Sequence, residues 1–200
     1  MKAARYITQV ILLGVIAALI YFIITGVMKP INFDKEQEAR YEKVIQRLKD
    51  IRTAEVAYKS VYGQYTGSFD TLINFVKNDS FPVLYAEGSL DDSLAVMQGK
   101  IVRDTIYIMV RDSIFEKGFP IDSLRFVPFA PPGTEFDLQA AKIMTASKLE
   151  VPVFQATARN FDILNGMDHQ LIVNLNDLTD FPGLKVGDVV EANNNAGNWE

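Results

Sequence analysis

The chain has 200 residues, 48% of them apolar and 22% charged, with a net charge of −5. That balance excludes an intrinsically disordered chain and a basic nucleic-acid binder. Zero Cys and a single His exclude a disulfide-stapled domain, thiol catalysis, a Cys-ligated zinc and any site needing two imidazoles.

The charge is unevenly placed. Residues 1–28 carry Lys2 and Arg5 and no acid, while residues 29–200 hold 18 basic and 25 acidic residues, a net −7. From Ile7 to Met28 run 22 residues without a charge, and Val10–Ile24 is unbroken apolar or Gly. As a helix this run spans roughly 33 Å, enough for the ~30 Å hydrocarbon core of a bilayer. A cleaved signal peptide would have a shorter apolar core and a small-x-small cleavage site; Thr25-Gly26-Val27-Met28-Lys29 is a poor one. Residues 1–28 therefore read as a cytoplasmic stub and retained signal-anchor. The positive-inside rule places the amino terminus in the cytoplasm and the remainder across the membrane. Gly14 and Ala18 form a small-xxx-small pair, the first candidates for contact between membrane helices.

Lys29-Pro30-Ile31-Asn32-Phe33 reads as a linker, because Pro30 lacks a backbone donor and biases Lys29 away from helix. Asp34 and Gln37 then have capping-box spacing, and an amphipathic helix is expected from Asp34 to Tyr62, stopped by Gly63 at C′. Tyr41, Val44, Leu48, Ile51, Glu55, Tyr58 and Tyr62 follow a 3-4 spacing, with Glu55 the misfit. Ile45, Ala54 and Val61 widen this seam. Two packings fit it: a coiled coil with another subunit, or the helix laid on a sheet of its own domain. The three tyrosines suit the second, since their hydroxyls favour a half-wet boundary.

Further along, Ser68 is expected to cap a short helix reaching Lys77, with Phe69, Leu72, Ile73 and Val76 on one face. Asn78-Asp79-Ser80 fits a glycosylation sequon. Phe81–Tyr85 suggests an edge strand, and Leu90–Gln98 a small helix capped by Asp91 or Asp92. Val102-Arg103-Asp104-Thr105-Ile106 recurs as Val110-Arg111-Asp112-Ser113-Ile114, with a partial echo at Ile121–Arg125; these read as polar turns between β segments. Strands are expected at Phe126–Phe129, in a hairpin made by Phe136–Ala140 and Val151–Thr157, and at Leu171–Leu175 and Leu184–Val190. Pro152 points to an edge position. The fold class expected is α+β: one transmembrane helix, a long amphipathic helix and an antiparallel β-meander, with residues 34–200 forming one domain outside the cytoplasm.

No catalytic constellation emerges. His169 follows Asp168, but no Gly-x-Ser-x-Gly elbow accompanies them, and a surface-turn His is the plainer reading. Asn174, Asn176, Asp177 and Asp180 supply oxygens of the kind calcium uses, without EF-hand spacing and in residue types ordinary for turns. The chain is read as a non-enzyme with no cofactor.

The order of parts resembles type IV pilin-like proteins, including the pseudopilins of type II secretion. The local match is Asp50-Ile51-Arg52-Thr53-Ala54-Glu55-Val56-Ala57-Tyr58-Lys59-Ser60-Val61-Tyr62-Gly63-Gln64-Tyr65 followed by Ser68-Phe69-Asp70-Thr71-Leu72, within residues 40–77. It is similar to the pseudopilin helix end, where an Ala- and Tyr-bearing helix stops at a Gly before an aromatic. The whole chain also resembles single-pass envelope proteins of Gram-negative bacteria. The resemblance implies a pilin-like fold and a structural or assembly subunit of an envelope or secretion apparatus. It further implies an inner-membrane location with a periplasmic domain, whose partners would be lipid and other membrane or envelope subunits, copies of itself included. The alternative is a fixed single-pass scaffold that forms no filament, suggested by neutral Gln9 where prepilins carry Glu and by the expected break at Pro30. A periplasmic enzyme or ligand-binding domain ranks third.

Overall fold

A computed structural model describes residues 2–87, 102–145 and 147–200. The chain is a mixed helix and sheet protein, with a long amino-terminal helix and antiparallel strands. α1 (Lys2–Ile23) passes through a π-helical turn (Ile24–Met28) directly into α2 (Lys29–Tyr62). The break expected at residues 29–33 is absent, and those residues are helical. Pro30 directly follows the π-helical turn inside a continuous helix, so a helix start does not explain its tolerance. The wider i→i+5 turn ahead of it accommodates the ring that would otherwise crowd the carbonyl of Gly26. Asp34 and Gln37 are therefore interior helical residues and cap nothing. Gly63 does end α2, with φ 73° and its N–H donating to Lys59 O at 2.8 Å. A left-handed residue at this point suits glycine.

α3 (Phe69–Asn78) starts at Ser68, whose side chain accepts from Thr71 N, and buries Phe69, Leu72, Ile73, Phe75 and Val76. β1 (Ser80–Glu87) pairs antiparallel with β2 (Val102–Met109), from Ser80↔Met109 to Glu87↔Val102. The helix expected at Leu90–Gln98 lies outside the described residues. The sequence duplication does not repeat a structure. Its first copy belongs to β2, its second forms a helical turn, α4 (Val110–Ile114), and the echo at Ile121–Arg125 is a 3-10 turn.

β3 (Asp137–Met144), β4 (Glu150–Arg159) and β5 (Gly183–Gly187) form a three-stranded sheet in that order. The expected hairpin is there, with Leu138↔Ala156 and Ala140↔Phe154 in register. Pro152 pairs across from Lys142 in β3, beyond the point where β5 begins at Gln155↔Gly187. A missing N–H on that overhanging side breaks no ladder.

The strand expected at Leu184–Val190 stops at Gly187, which turns left-handed (φ 72°), and two further expected strands are corrected. Phe126–Phe129 makes only an isolated bridge, Phe126↔Glu135, because Phe129 turns left-handed (φ 67°) and Pro131-Pro132 offer no donors. Leu171–Leu175 lies in a helix, α6 (His169–Asn176), after the short turn α5 (Asn160–Ile163). Asp168 Oδ1 accepts from Gln170 N and Leu171 N at 3.0 and 3.3 Å, an N-cap, and Leu171, Ile172 and Leu175 all turn to the core. The sheet and the short helices close over one side of α2, which packs on β5, α3, α4, α5 and the 3-10 turn.

Candidate functional site

The long helix α2 is the element that any functional reading must explain, and its seam lies against its own domain. Val44, Leu48, Ile51 and Glu55 are fully buried, Tyr41 and Tyr58 are half-buried, and Tyr62 is exposed. Ala54 and Ala57 extend the buried face and Phe33 extends it downward. The opposite face, Glu38, Glu42, Gln46, Lys49, Thr53, Val56 and Ser60, is open to solvent. The buried seam is thus closed to any other subunit, and this polar face is open.

At the top of the seam three aromatic rings converge. Tyr58 and Tyr62 lie 4.6 Å apart, and Phe75 meets Tyr58 edge-on at 5.2 Å. The Tyr62 hydroxyl donates to Asp79 Oδ2 at 2.6 Å. Glu55 is not idle in its apolar surroundings. Its Oε2 accepts the Thr66 N–H at 3.0 Å, tying the turn after Gly63 back onto α2. Its Oε1 is buried with no partner. Burial pushes the carboxyl up to about 8, and the Thr66 bond opposes that only in part.

Lower down, Tyr41 donates to Asn160 Oδ1 at 2.5 Å. Asn160 is 1% exposed, its Nδ2 donates to Asn176 Oδ1 at 2.7 Å, and its backbone N–H reaches Pro182 O. Burial raises the Tyr41 hydroxyl above its ordinary value, against the bonds to Asn160 and Gln37. Gln37, Tyr41 and Asn160 border a cleft of about 730 Å³ that also takes in Phe181, Lys185 and Trp199. Both polar atoms of the Asn160 side chain are engaged by its own chain, which ties α2 to the turn at residues 160–163.

Three arginines flank the seam and pin the helix along its length. Arg40 Nη1 donates to Ile163 O and Asn165 O at 3.2 and 2.9 Å, and its Nε pairs with Glu36 at 2.9 Å. Arg47 Nη1 donates to the Ser123 carbonyl and, at 2.8 Å, to Ser123 Oγ. Arg52 Nη1 reaches Asn195 O at 3.2 Å and Glu200 Oε1 at 2.8 Å. A guanidinium suits this work, since its fork of fixed donors can satisfy more than one acceptor at once. The only sequence signal for these clamps is that the three residues border an apolar seam.

The remaining candidates are placed as follows. Gly14 and Ala18 are exposed in α1, with open space around Gly14. His169 stacks on Phe161 with ring centroids 5.3 Å apart, and the Asp168 carboxylate is occupied by the α6 N-terminus. Asn78 donates to Asn74 Oδ1 at 2.7 Å. Among the described residues no three His, Asp or Glu side chains converge where a metal could be held. The helix from Arg5 to Tyr62 contains a stretch long and apolar enough to cross a membrane, none of it buried.

No family model, curated protein or solved structure matches this chain.

Proposed function

We propose that this protein is a membrane-anchored structural or assembly subunit, pseudopilin-like, of a bacterial envelope or secretion apparatus. One observation carries the reading: a single unbroken helix is bare and apolar in its first half and is built into the domain by seam and arginines in its second. Such a rod holds a domain at a set height and angle over a bilayer, which suits an assembly subunit. We place α1 in the bacterial inner membrane, with the amino terminus cytoplasmic and the domain periplasmic, from the charge asymmetry of the sequence. The partners are then lipid and neighbouring subunits, copies of this chain included.

The fixed scaffold is the second reading, favoured by neutral Gln9 near the start of the apolar run. It no longer draws support from a helix break at Pro30.

Photo-crosslinkers at Lys49, Thr53 and Val56, on the open face of α2, test the subunit reading in cells. Crosslinks to a second polypeptide from these positions, and none from a control at Ile51 in the seam, are expected. Recovery of uncrosslinked monomer from all three would remove the basis for the proposal. Mass spectrometry of the native amino terminus then separates the two readings: a processed end fits the pseudopilin-like subunit, an intact Met1 the scaffold.

A further inference from the structure

We infer that the edge of the domain nearest α1 seats on the lipid surface through the uncharged loop 126–134, with Phe129 as its apolar contact; this rests on the membrane-anchored reading above. The domain begins very low on the helix. Phe33, only 7% exposed, lies five residues past Met28, a rise of about 7.5 Å. The headgroup layer is itself roughly 5–7 Å thick on each side of the hydrocarbon. Covering Phe33 thus brings some part of the domain close to the lipid.

Arg40 identifies which part. Its Nε pairs with Glu36 one turn below, as expected of a helical side chain that leans toward the N-terminus. The guanidinium therefore sits about 12 Å above Met28 by the same rise per residue. It holds Ile163 O and Asn165 O and lies 5.2 Å from the centre of the Phe129 ring. The turn at residues 163–165 and the Phe129 ring are held at this height. A tilt of ~20° toward this side, the mean for a transmembrane helix, lowers a group about 10 Å off the axis by a further 3–4 Å or so, roughly half of the distance left to the headgroup layer.

The chemistry of the loop fits a lipid boundary. Between Arg125 and Glu135, residues 126–134 carry no charge, in a region that is acidic overall. Phe129 is 47% exposed and Phe161 46%, and Pro131 and Pro132 are also exposed. Phe129 keeps a positive φ of 67°, a conformation that a bulky side chain rarely adopts. An apolar ring held out of the core in an unfavourable conformation gains nothing from water. It gains where its outer half enters the headgroup boundary of the bilayer.

The chain has no cysteine, so single-cysteine spin labels need no background substitutions. The full chain would be reconstituted in vesicles of phosphatidylethanolamine and phosphatidylglycerol, with labels at Phe129→Cys, Pro131→Cys, Phe22→Cys and Gln64→Cys. Oxygen, which partitions into lipid, and a water-soluble nickel chelate report each label's surroundings. Labels at 22, 129 and 131 are expected to favour oxygen by several-fold over the label at 64, which sits at the far end of α2. The Pro131 label leaves Phe129 in place, so a disturbed Phe129→Cys variant does not remove the test. Labels at 129 and 131 behaving like the one at 64, with the Phe22 label in lipid, overturn the seating and leave the anchor intact. A Phe22 label exposed to the chelate overturns the anchor and the seating together.

Discussion

Glu55 and Thr66 meet across the turn that ends the long helix, carboxylate Oε2 accepting the backbone N–H at 3.0 Å. The carboxyl is the one acidic group in the apolar seam, and burial lifts it from its ordinary 4.5 to about 8. Between those values the folded chain holds a proton that the unfolded chain has released. Stability is therefore greatest below the lower value, falls as pH rises through the window, and levels off above the upper one. The slope contributed is at most ~1.4 kcal/mol per pH unit. Glu55→Gln keeps an acceptor for Thr66 and removes the titration. Melting of the full chain in detergent at about pH 5 and about pH 8 should show a fall in Tm for the wild type and a smaller one for the variant. Equal falls in both would assign the pH dependence to other groups.

The Arg47 clamp bonds both the carbonyl and the hydroxyl of Ser123 from a half-buried position. Hydrogen bonds to charged groups contribute about 1.5–3 kcal/mol, so Arg47→Ala should destabilise by roughly that amount. Hydrogen exchange should rise selectively at Ile121–Arg125, the 3-10 turn that the clamp holds. Uniform exchange across the domain would show that the arginine supports overall stability instead.

Tyr41 and Asn160 form the buried polar contact between α2 and the turn at residues 160–163. Tyr41→Phe leaves Asn160 Oδ1 without its donor, a loss of about 1–3 kcal/mol. A double-mutant cycle with Asn160→Ala should return a coupling energy above ~0.5 kcal/mol, whereas independent sites would simply add.

The two faces of α2 should respond oppositely to truncation. Leu48→Ala removes fully buried methyls and should cost about 2–5 kcal/mol. Val56→Ser, on the open face, should change stability by no more than ~0.5 kcal/mol and weaken crosslinking to a partner subunit. A large loss of stability from Val56→Ser would place that residue in the fold and remove it from the proposed contact surface.

Regular periodicity made much of the architecture legible. The seam from Tyr41 to Tyr62, the stop at Gly63, the Ser68 cap and the β3–β4 hairpin are all local patterns, carried by residues a few positions apart. The expected linker is absent because the π turn ahead of Pro30 makes room for its ring within a continuous helix, and no residue pattern marks a π turn. Leu171–Leu175 failed because its short apolar run suits strand or helix equally, and the Asp168 cap decided between them. The clamps of Arg40, Arg47 and Arg52 were not legible. Apart from Glu36, their acceptors lie 76 to 148 residues away along the chain, and several are backbone carbonyls, which carry no mark in a sequence.

The unbroken passage from α1 through the π turn into α2 has a mechanical consequence. A flexible stalk would let the domain swivel freely, whereas a stiff shaft transmits torque. Successive residues of a helix are separated by ~100° of arc. A neighbour that grips the Gly14–Ala18 side of the shaft therefore also selects the compass direction in which Lys49, Thr53 and Val56 point, some 50 Å away by helical rise. With α1 in the bilayer, as proposed above, steering of the domain's outward face is set by contacts that never touch it.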